Sequence, residues 1–283
     1  MKQLNEIKVS VCVVTYNQEK YLAECLESLV TQETNFPFEI IVGDDYSSDN
    51  TRMILQKFFE EYPNLIVPIF HDKNIGALEN IRQVYAKAKG KYIAHLDGDD
   101  FALPGKLQEQ YNIMEQGYAL CSHNVYSINK SGTLNHNFWH FDGGDYDWKF
   151  YLKNMPFFAH SSKMFVRNHL DELINNMKSN TYDFELHLES LRFGKIHHLN
   201  KNLGVYRLDV GLMANDSSIL IKMIDTKIRV YNKSIIYFND VKFIKKLYLI
   251  ELLKMLKLCL VEQNFSQIGK ILSEILSIIV RSK

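Results

Sequence analysis

The sequence predicts an α/β protein organised on a doubly wound, mainly parallel sheet, and two observations carry that expectation. Short apolar, β-branched runs alternate with segments of helical period through the N-terminal part of the chain. Each run also stops at a polar loop, and open sheets of this kind bind ligands beyond the carboxyl ends of their strands.

The first run, residues 8–15 (KVSVCVVT), is β-type throughout, as expected of a central strand covered on both faces. It stops at Tyr16 and Asn17, after which residues 19–32 place Tyr21, Leu22, Cys25, Leu26, Leu29 and Val30 at helical spacing. A second run, 38–42, enters GDDYSSDNT and then a helix over 51–62. The third, 65–70, leads through Asn74 and Gly76 to a helix over 77–89, with Gly90 in the position of its C-cap. The fourth, KYIAHL, ends in Asp97, Gly98, Asp99 and Asp100. Clustered carboxylates without a partner raise one another's pKa, and a divalent cation reverses that penalty. Hard oxygen ligands suit Mg²⁺ or Mn²⁺, which bind through one or two carboxylates plus substrate phosphates, so the pattern points to a phosphorylated ligand. The competing reading is a solvated acidic turn with Gly98 at positive φ. The strand-end rule expects the loops at Thr15, Asp44 and Asp45, Asn74 and Gly76, and Asp97 to meet on one edge. No Gly-rich phosphate loop of the Walker or dinucleotide type is present.

The composition sets bounds on this reading. With 46% hydrophobic and 12% aromatic residues, a chain of 283 residues can bury a substantial core. Basic and acidic residues balance at 33 each, which recommends no nucleic-acid partner. The balance is uneven: from residue 216 onward 12 residues are basic and 6 acidic, against 21 and 27 before it. Cys12, Cys25, Cys121 and Cys259 are far apart and form no Cys-x-x-Cys pair, so they read as reduced core thiols of a cytoplasmic protein. No apolar run of signal-peptide length precedes the first strand, and none approaches the ~20 apolar residues that span a bilayer. Any membrane contact is therefore expected from the surface, at the inner face of the cell membrane.

Residues 104–116 read as a helix and 118–127 as a strand. Residues 129–150 show no period and read as a long loop or irregular insertion. From 219 onward apolar residues recur at spacings of three and four with lysines interleaved, which predicts a helical extension. It can pack as a hairpin on the core, form a homodimer, or make peripheral contact with an anionic membrane.

Taken in order, VSVCVVTYNQEKYLAECLESLVTQ, EIIVGDDYSSDNT and NIGALENIRQVYAKAKGKYIAHLDGDD resemble the nucleotide-binding half of a family 2 glycosyltransferase. The resemblance covers residues 7–210 and implies the GT-A, Rossmann-like fold of an inverting enzyme of bacterial surface-glycan type. It implies a domain at 1–215, with a nucleotide-binding half at 7–103 and an acceptor half at 104–215, followed by a helical extension at 216–283. Thr15, Tyr16 and Asp45 would hold the nucleobase, usually uracil, with Asn17 and Glu19 on the donor side. A carboxylate accepting the N3–H of uracil would be left buried and unpaired against cytosine. Asp44, Ser47 and Asp49 adjoin this loop, and Ser47 or Asp49 has the alternative of capping the next helix. The Asp-Gly-Asp-Asp run matches the family's Asp-x-Asp. That match implies Asp97 and Gly98 near ribose or metal, Asp99 on the metal, and Asp100 orienting it or touching the sugar. Asn74 and Gly76 fall in a recurrent Asn-x-Gly turn, which either touches the donor or only turns the chain ahead of a helix.

On the acceptor side, NMPFFAHSSKMFVR resembles the segment returning beneath that site, with His160, Ser161 and Ser162 near the sugar. Trp139 and Trp148 either stack on an acceptor sugar or anchor their loop. TYDFELHLESLR matches the family's acidic pair at a helix start, implying Asp183 as catalytic base with Glu185 after it; a helix cap is the alternative for Asp183. GKIHHLNKNLGVYRLDVGLMAND resembles the closing strand, with Arg207 on the diphosphate or on the acidic site, and Asp209 where many members carry a histidine. His197 and His198 read as structural or exposed. The activity implied is transfer of a sugar from a UDP-sugar to a hydroxyl of a glycan or lipid-linked acceptor, with Mn²⁺ or Mg²⁺, in surface polysaccharide or lipooligosaccharide synthesis. A sugar-nucleotide hydrolase, or a nucleotidyltransferase of related fold, is the alternative. Residues 8–18 lack the basic Gly-rich loop the latter needs.

Overall fold

The computed structural model describes residues 6–129, 131–135, 140–169, 183–208, 210, 219–262 and 264–280. The expected alternation is realised in β1 (Val9–Thr15), α1 (Leu22–Val30), β2 (Phe38–Asp44), α2 (Thr51–Glu61), β3 (Ile66–Phe70), α3 (Ala77–Lys87) and β4 (Tyr92–Asp97). These strands pair in parallel in the order β3-β2-β1-β4. β1 is buried from Val9 to Val13 because its alternating side chains enter two different cores. Val11 and Val13 pack with Leu22, Leu26 and Leu55, whereas Cys12 packs with Val84 and Tyr85 on the other face. Register then fixes the site: Thr15 lies opposite Asp44 and Val14 opposite Asp97, so three strands end at one level.

One sequence expectation needs correction. α3 ends at Lys87 with Ala88 as its C-cap, and Gly90 is not a cap. A Cβ on Gly90 would sit 2.6 Å from the Ser10 nitrogen, and its own N–H donates to Ser10 Oγ at 2.9 Å. Glycine is required there because two backbones approach closely.

After β4 the sheet changes character. β5 (Phe101–Ala102) and α4 (Lys106–Met114) precede β6 (Leu120–Ile128), and the later strand β9 (Met164–Val166) inserts antiparallel between β4 and β6. β10 (Ile196–Arg207) runs parallel to β6 and antiparallel to β5, which brings Arg207 back toward the acidic loop. Within the stretch 129–150, the described residues are more ordered than the composition suggests. They include β7 (Leu134–Asn135) against β6, β8 (Gly144–Tyr146) against β10, and the start of α5 (Trp148–Asn154), capped by the Asp147 carboxylate. Strands of two or three residues are too short to show a period.

α6 (Asp183–Ser190) is followed by the C-terminal helices α7 (Ile219–Tyr237), α8 (Val241–Val261) and α9 (Ile268–Val280). Their inner residues, among them Tyr231, Tyr248 and Leu252, share one buried cluster with Tyr151, Phe157 and Leu188. All four cysteines are buried and free. Among the described residues no helix is long and apolar enough to cross a membrane.

Candidate active site

The loops after β1 and β2 are laced together. The Asn17 N–H donates to Ser47 Oγ at 2.9 Å, the Ser48 N–H to Asn17 Oδ1 at 2.8 Å, and the Asn50 N–H to Glu19 Oε2 at 3.0 Å. Asn17 and Tyr46 both hold positive φ, 51° and 63°, the second a strained conformation for a bulky residue. Asp49 accepts from Thr51 N–H at the start of α2 and from Glu19 N–H, and these bonds keep its carboxyl low against the effect of burial. Asp44 is buried against Arg52 at 3.4 Å. Asp45 faces the next loop instead, accepting the N–H of Ile75 at 2.7 Å and of Gly76 at 2.9 Å, while Asn74 donates to its carbonyl. Thr15 is buried with its hydroxyl on Gln18 Oε1, and Tyr16 stays exposed beside it.

The acidic loop closes this edge. Gly98 donates its N–H to Val14 at 2.9 Å, and a Cβ there would meet Gln18 Oε1 at 2.5 Å and Thr15 Cβ at 2.9 Å. Close approach, not positive φ, is what demands glycine, so the simple left-handed turn is not what forms. Asp97 bonds His95 Nε2 at 3.2 Å, and His95 Nδ1 meets Tyr85 OH at 3.0 Å. Ser161 donates to Asp97 Oδ2 at 3.1 Å and to Asp100 Oδ2 at 2.5 Å, and the Arg207 N–H donates to Asp100 Oδ1 at 2.9 Å. The Arg207 guanidinium bonds the Asp99 carbonyl and the Glu24 carboxylate, between the rings of Tyr21 and Phe101.

These partners divide the protons unequally. Burial works to raise Asp97, but His95 and Ser161 outweigh it and hold its carboxyl low. Burial and then the charge of Asp97 push Asp99 up to about 6. Asp100 goes well above the usual range through burial and the charges of Asp99 and Asp97. Among the described residues no group of three or more His, Cys, Asp or Glu is disposed to hold a metal. The donor chemistry nevertheless fits a hard divalent ion. The oxygens of Asp97 and Asp100 are engaged by His95, Ser161 and Arg207, whereas Asp99 is raised by burial and then by a neighbouring negative charge, the second of which a cation would offset. An ion bound mainly by phosphates needs only one or two such carboxylates.

Other sequence candidates lie elsewhere. Asp183 is the first residue of α6, and its side chain lies outside the described residues, as do Trp139 and Asp209. Glu185 is turned into the fold, 1% exposed, bonding Arg229 at 3.0 Å. Trp148 stacks on Phe238 at 4.5 Å, so its ring serves as an anchor for the C-terminal helices. His160 is half-buried, with its ring at 2.8 Å from Lys163 and 3.4 Å from His187. His198 is buried between Ser122 and Asn124, and His197 bonds Asp145. Sequence reasoning missed His95 and Lys106. Alternation along β4 places His95 on the same face as Asp97, a signal that was available. Lys106 looks like an ordinary first-turn helix residue, yet it is fully buried, donates to the Ser161 carbonyl at 2.5 Å, and has its pKa lowered to about 7 by burial.

A half-parallel sheet that gathers buried carboxylates at the carboxyl ends of its strands defines a protein of the open α/β class, whose ligands bind along that edge. The model of the family Glycosyl transferase family 2 matches residues 10–174, and the chain belongs to that family. Uncharacterized proteins of Mycobacterium bovis and Mycobacterium tuberculosis are 35% identical over 133 residues, 46% of this chain and 38% of theirs. Chondroitin synthase of Escherichia coli is 29% identical over 202 residues, 68% of this chain and 28% of that protein. The chain thus spans well under half the length of these relatives. Among solved structures, S. aureus TarS in complex with UDP-GlcNAc superposes with a TM-score of 0.68 at 19% identity, covering 85% of this chain and 70% of that one. The likeness identifies the GT-A fold.

Proposed function

We propose that the chain transfers a sugar, with inversion, from a UDP-sugar to a hydroxyl of a glycan or lipid-linked acceptor in surface polysaccharide or lipooligosaccharide synthesis. The observation that carries this reading is the common level of three strand ends. It sets Thr15, Asp45 and the acidic loop along one edge, with Asp45 held rigid by the amides of Ile75 and Gly76. Each Asp45 oxygen can accept a further bond, so a carboxylate fixed in this way suits the N3–H of uracil. The UDP-GlcNAc bound by TarS and the polysaccharide named by chondroitin synthase support the donor and product class.

Asp183, at the N-terminus of the acceptor-side helix α6, takes the proton of the incoming hydroxyl. That oxygen forms its bond to the anomeric carbon as the bond to the diphosphate breaks, and UDP leaves with the electron pair. Asp99, with Asp97 beside it, would hold a Mn²⁺ or Mg²⁺ ion, whose chemistry is to neutralise charge on the leaving diphosphate. Arg207 keeps the acidic loop in place through the Asp99 carbonyl and the Asp100 carboxylate. Ser161 ties Asp97 to Asp100.

Thermal shift of the pure protein with uridine, guanosine and thymidine diphosphates, with and without Mn²⁺, tests the donor reading, because a ligand of the folded state raises the midpoint. The expected result is a shift selective for UDP and enlarged by Mn²⁺. No shift with any uridine nucleotide would overturn the reading. In transfer assays, EDTA should reduce turnover by orders of magnitude, and equal rates with and without it would remove the metal.

A further inference from the structure

The C-terminal helices dock on the acceptor half through one side. Tyr231 OH donates to the Leu152 carbonyl at 2.9 Å, Arg229 bonds Glu185, and Phe238 stacks on Trp148. In α8 the inward stripe is Ile244, Tyr248, Leu252, Met255 and Cys259. An ordinary surface helix would be polar on its opposite face. Here the opposite face runs Lys242, Lys246, Ile250, Leu253, Lys257 and Leu260 at helical spacing, and all are exposed. α9 repeats the pattern. It buries Ile271 and Ile278 and presents Leu272, Leu276 and Ile279 to solvent, 44%, 61% and 51% exposed.

Charge decides what such a face fits. Residues 241–280 carry six lysines and three glutamates. Two of those acids turn toward the fold, Glu251 to Lys227 and Glu274 to Tyr248 OH, while Lys242, Lys246 and Lys257 stand out in solvent among the leucines. A two-fold interface would set this patch against itself, so that one lysine-bearing face would meet another. An anionic lipid surface complements both features at once. Apolar side chains enter the headgroup boundary, and lysines meet the negative headgroups. Since no described helix can span a bilayer, the contact lies in the membrane plane.

We propose that the outer face of α8 and α9 docks the protein flat on an anionic membrane surface. The proposal stands on this face alone and does not depend on the donor or the base assigned above. The test is sedimentation of the full chain with vesicles of phosphatidylcholine alone or mixed with phosphatidylglycerol, at low and high salt, beside analytical ultracentrifugation without lipid. Wild-type protein should sediment with the anionic vesicles, weaken with salt, and stay in solution with neutral ones. Lys246→Glu with Lys257→Glu should reduce anionic binding by roughly 25-fold or more, at about fivefold for each lysine lost near the surface. Leu253→Glu with Leu276→Glu should abolish it at an unchanged melting temperature, since both sites are exposed. Absence of vesicle binding at low salt, or equal binding by wild type and both variants, overturns the proposal. So does a wild-type dimer that the leucine variant dissolves, which would give the face to a second copy.

Discussion

Asp97, Asp99 and Asp100 sit within four positions in a buried turn, and their protonation is settled by unequal partners and not by their shared chemistry. Asp99, raised from 3.8 to about 6, keeps its proton in the folded chain at pH values where the unfolded chain has lost it. A carboxyl raised in this way adds stability below its ordinary value and loses it as pH rises through the folded one. In EDTA, Asp99→Asn should therefore gain melting temperature relative to wild type between pH 3.8 and about 6, and gain no more beyond. A difference that stays flat across that window would show that Asp99 is not strained. Asp183→Asn keeps shape but removes the proposed proton acceptor. Turnover should fall by about 10²–10⁴-fold with UDP affinity unchanged, as titration calorimetry beside a transfer assay will show. Near wild-type turnover would place the base elsewhere. Glu185→Gln makes the contrast, because it strips charge from a buried carboxylate paired with Arg229 and Lys233. Its cost should appear as stability, up to about 3–5 kcal/mol, in denaturant melts.

The turn from β4 to β5 is the element on which the site depends, and its tightest point is Gly98 against Thr15 and Gln18. Gly98→Ala has no φ penalty to meet, so overpacking alone should act, at about 1–3 kcal/mol of stability. Because the atom that must move belongs to the loop after β1, UDP affinity should fall with it. An alanine variant with wild-type stability and affinity would show that this approach has slack. The segment around Ser161 supports the same turn from the other side, through hydroxyl bonds to Asp97 and Asp100 and a carbonyl held by Lys106. None of these links is visible as a sequence spacing, since Ser161 lies 61 and 64 positions from the acids it bonds.

At the scale of the whole molecule, the C-terminal helices are joined to α5 and α6 by burial and by charge. Glu185 and Glu189, each 1% exposed, take cations from α7 through Arg229 and Lys233. A chain ending near residue 215 would leave both acids without those partners and uncover Tyr151, Leu152 and Phe184. Its cooperative melt should be lost, whereas a soluble truncate with a wild-type melt would make the extension an independent unit. Local chemistry written along the chain determined the rest of the N-terminal half. Strand and helix periods, loop positions and the acidic run are all i to i+4 patterns, and they gave β1 to β4, the common edge and the family resemblance. Tertiary structure alone decided the insertion of β9 between β4 and β6, the approach of Arg207 along β10, the close packing at Gly90 and Gly98, and the burial of Lys106 and Glu185. Those outcomes depend on register and desolvation between segments far apart in sequence, where no periodic pattern carries information, and the protonation of the acidic loop follows from them.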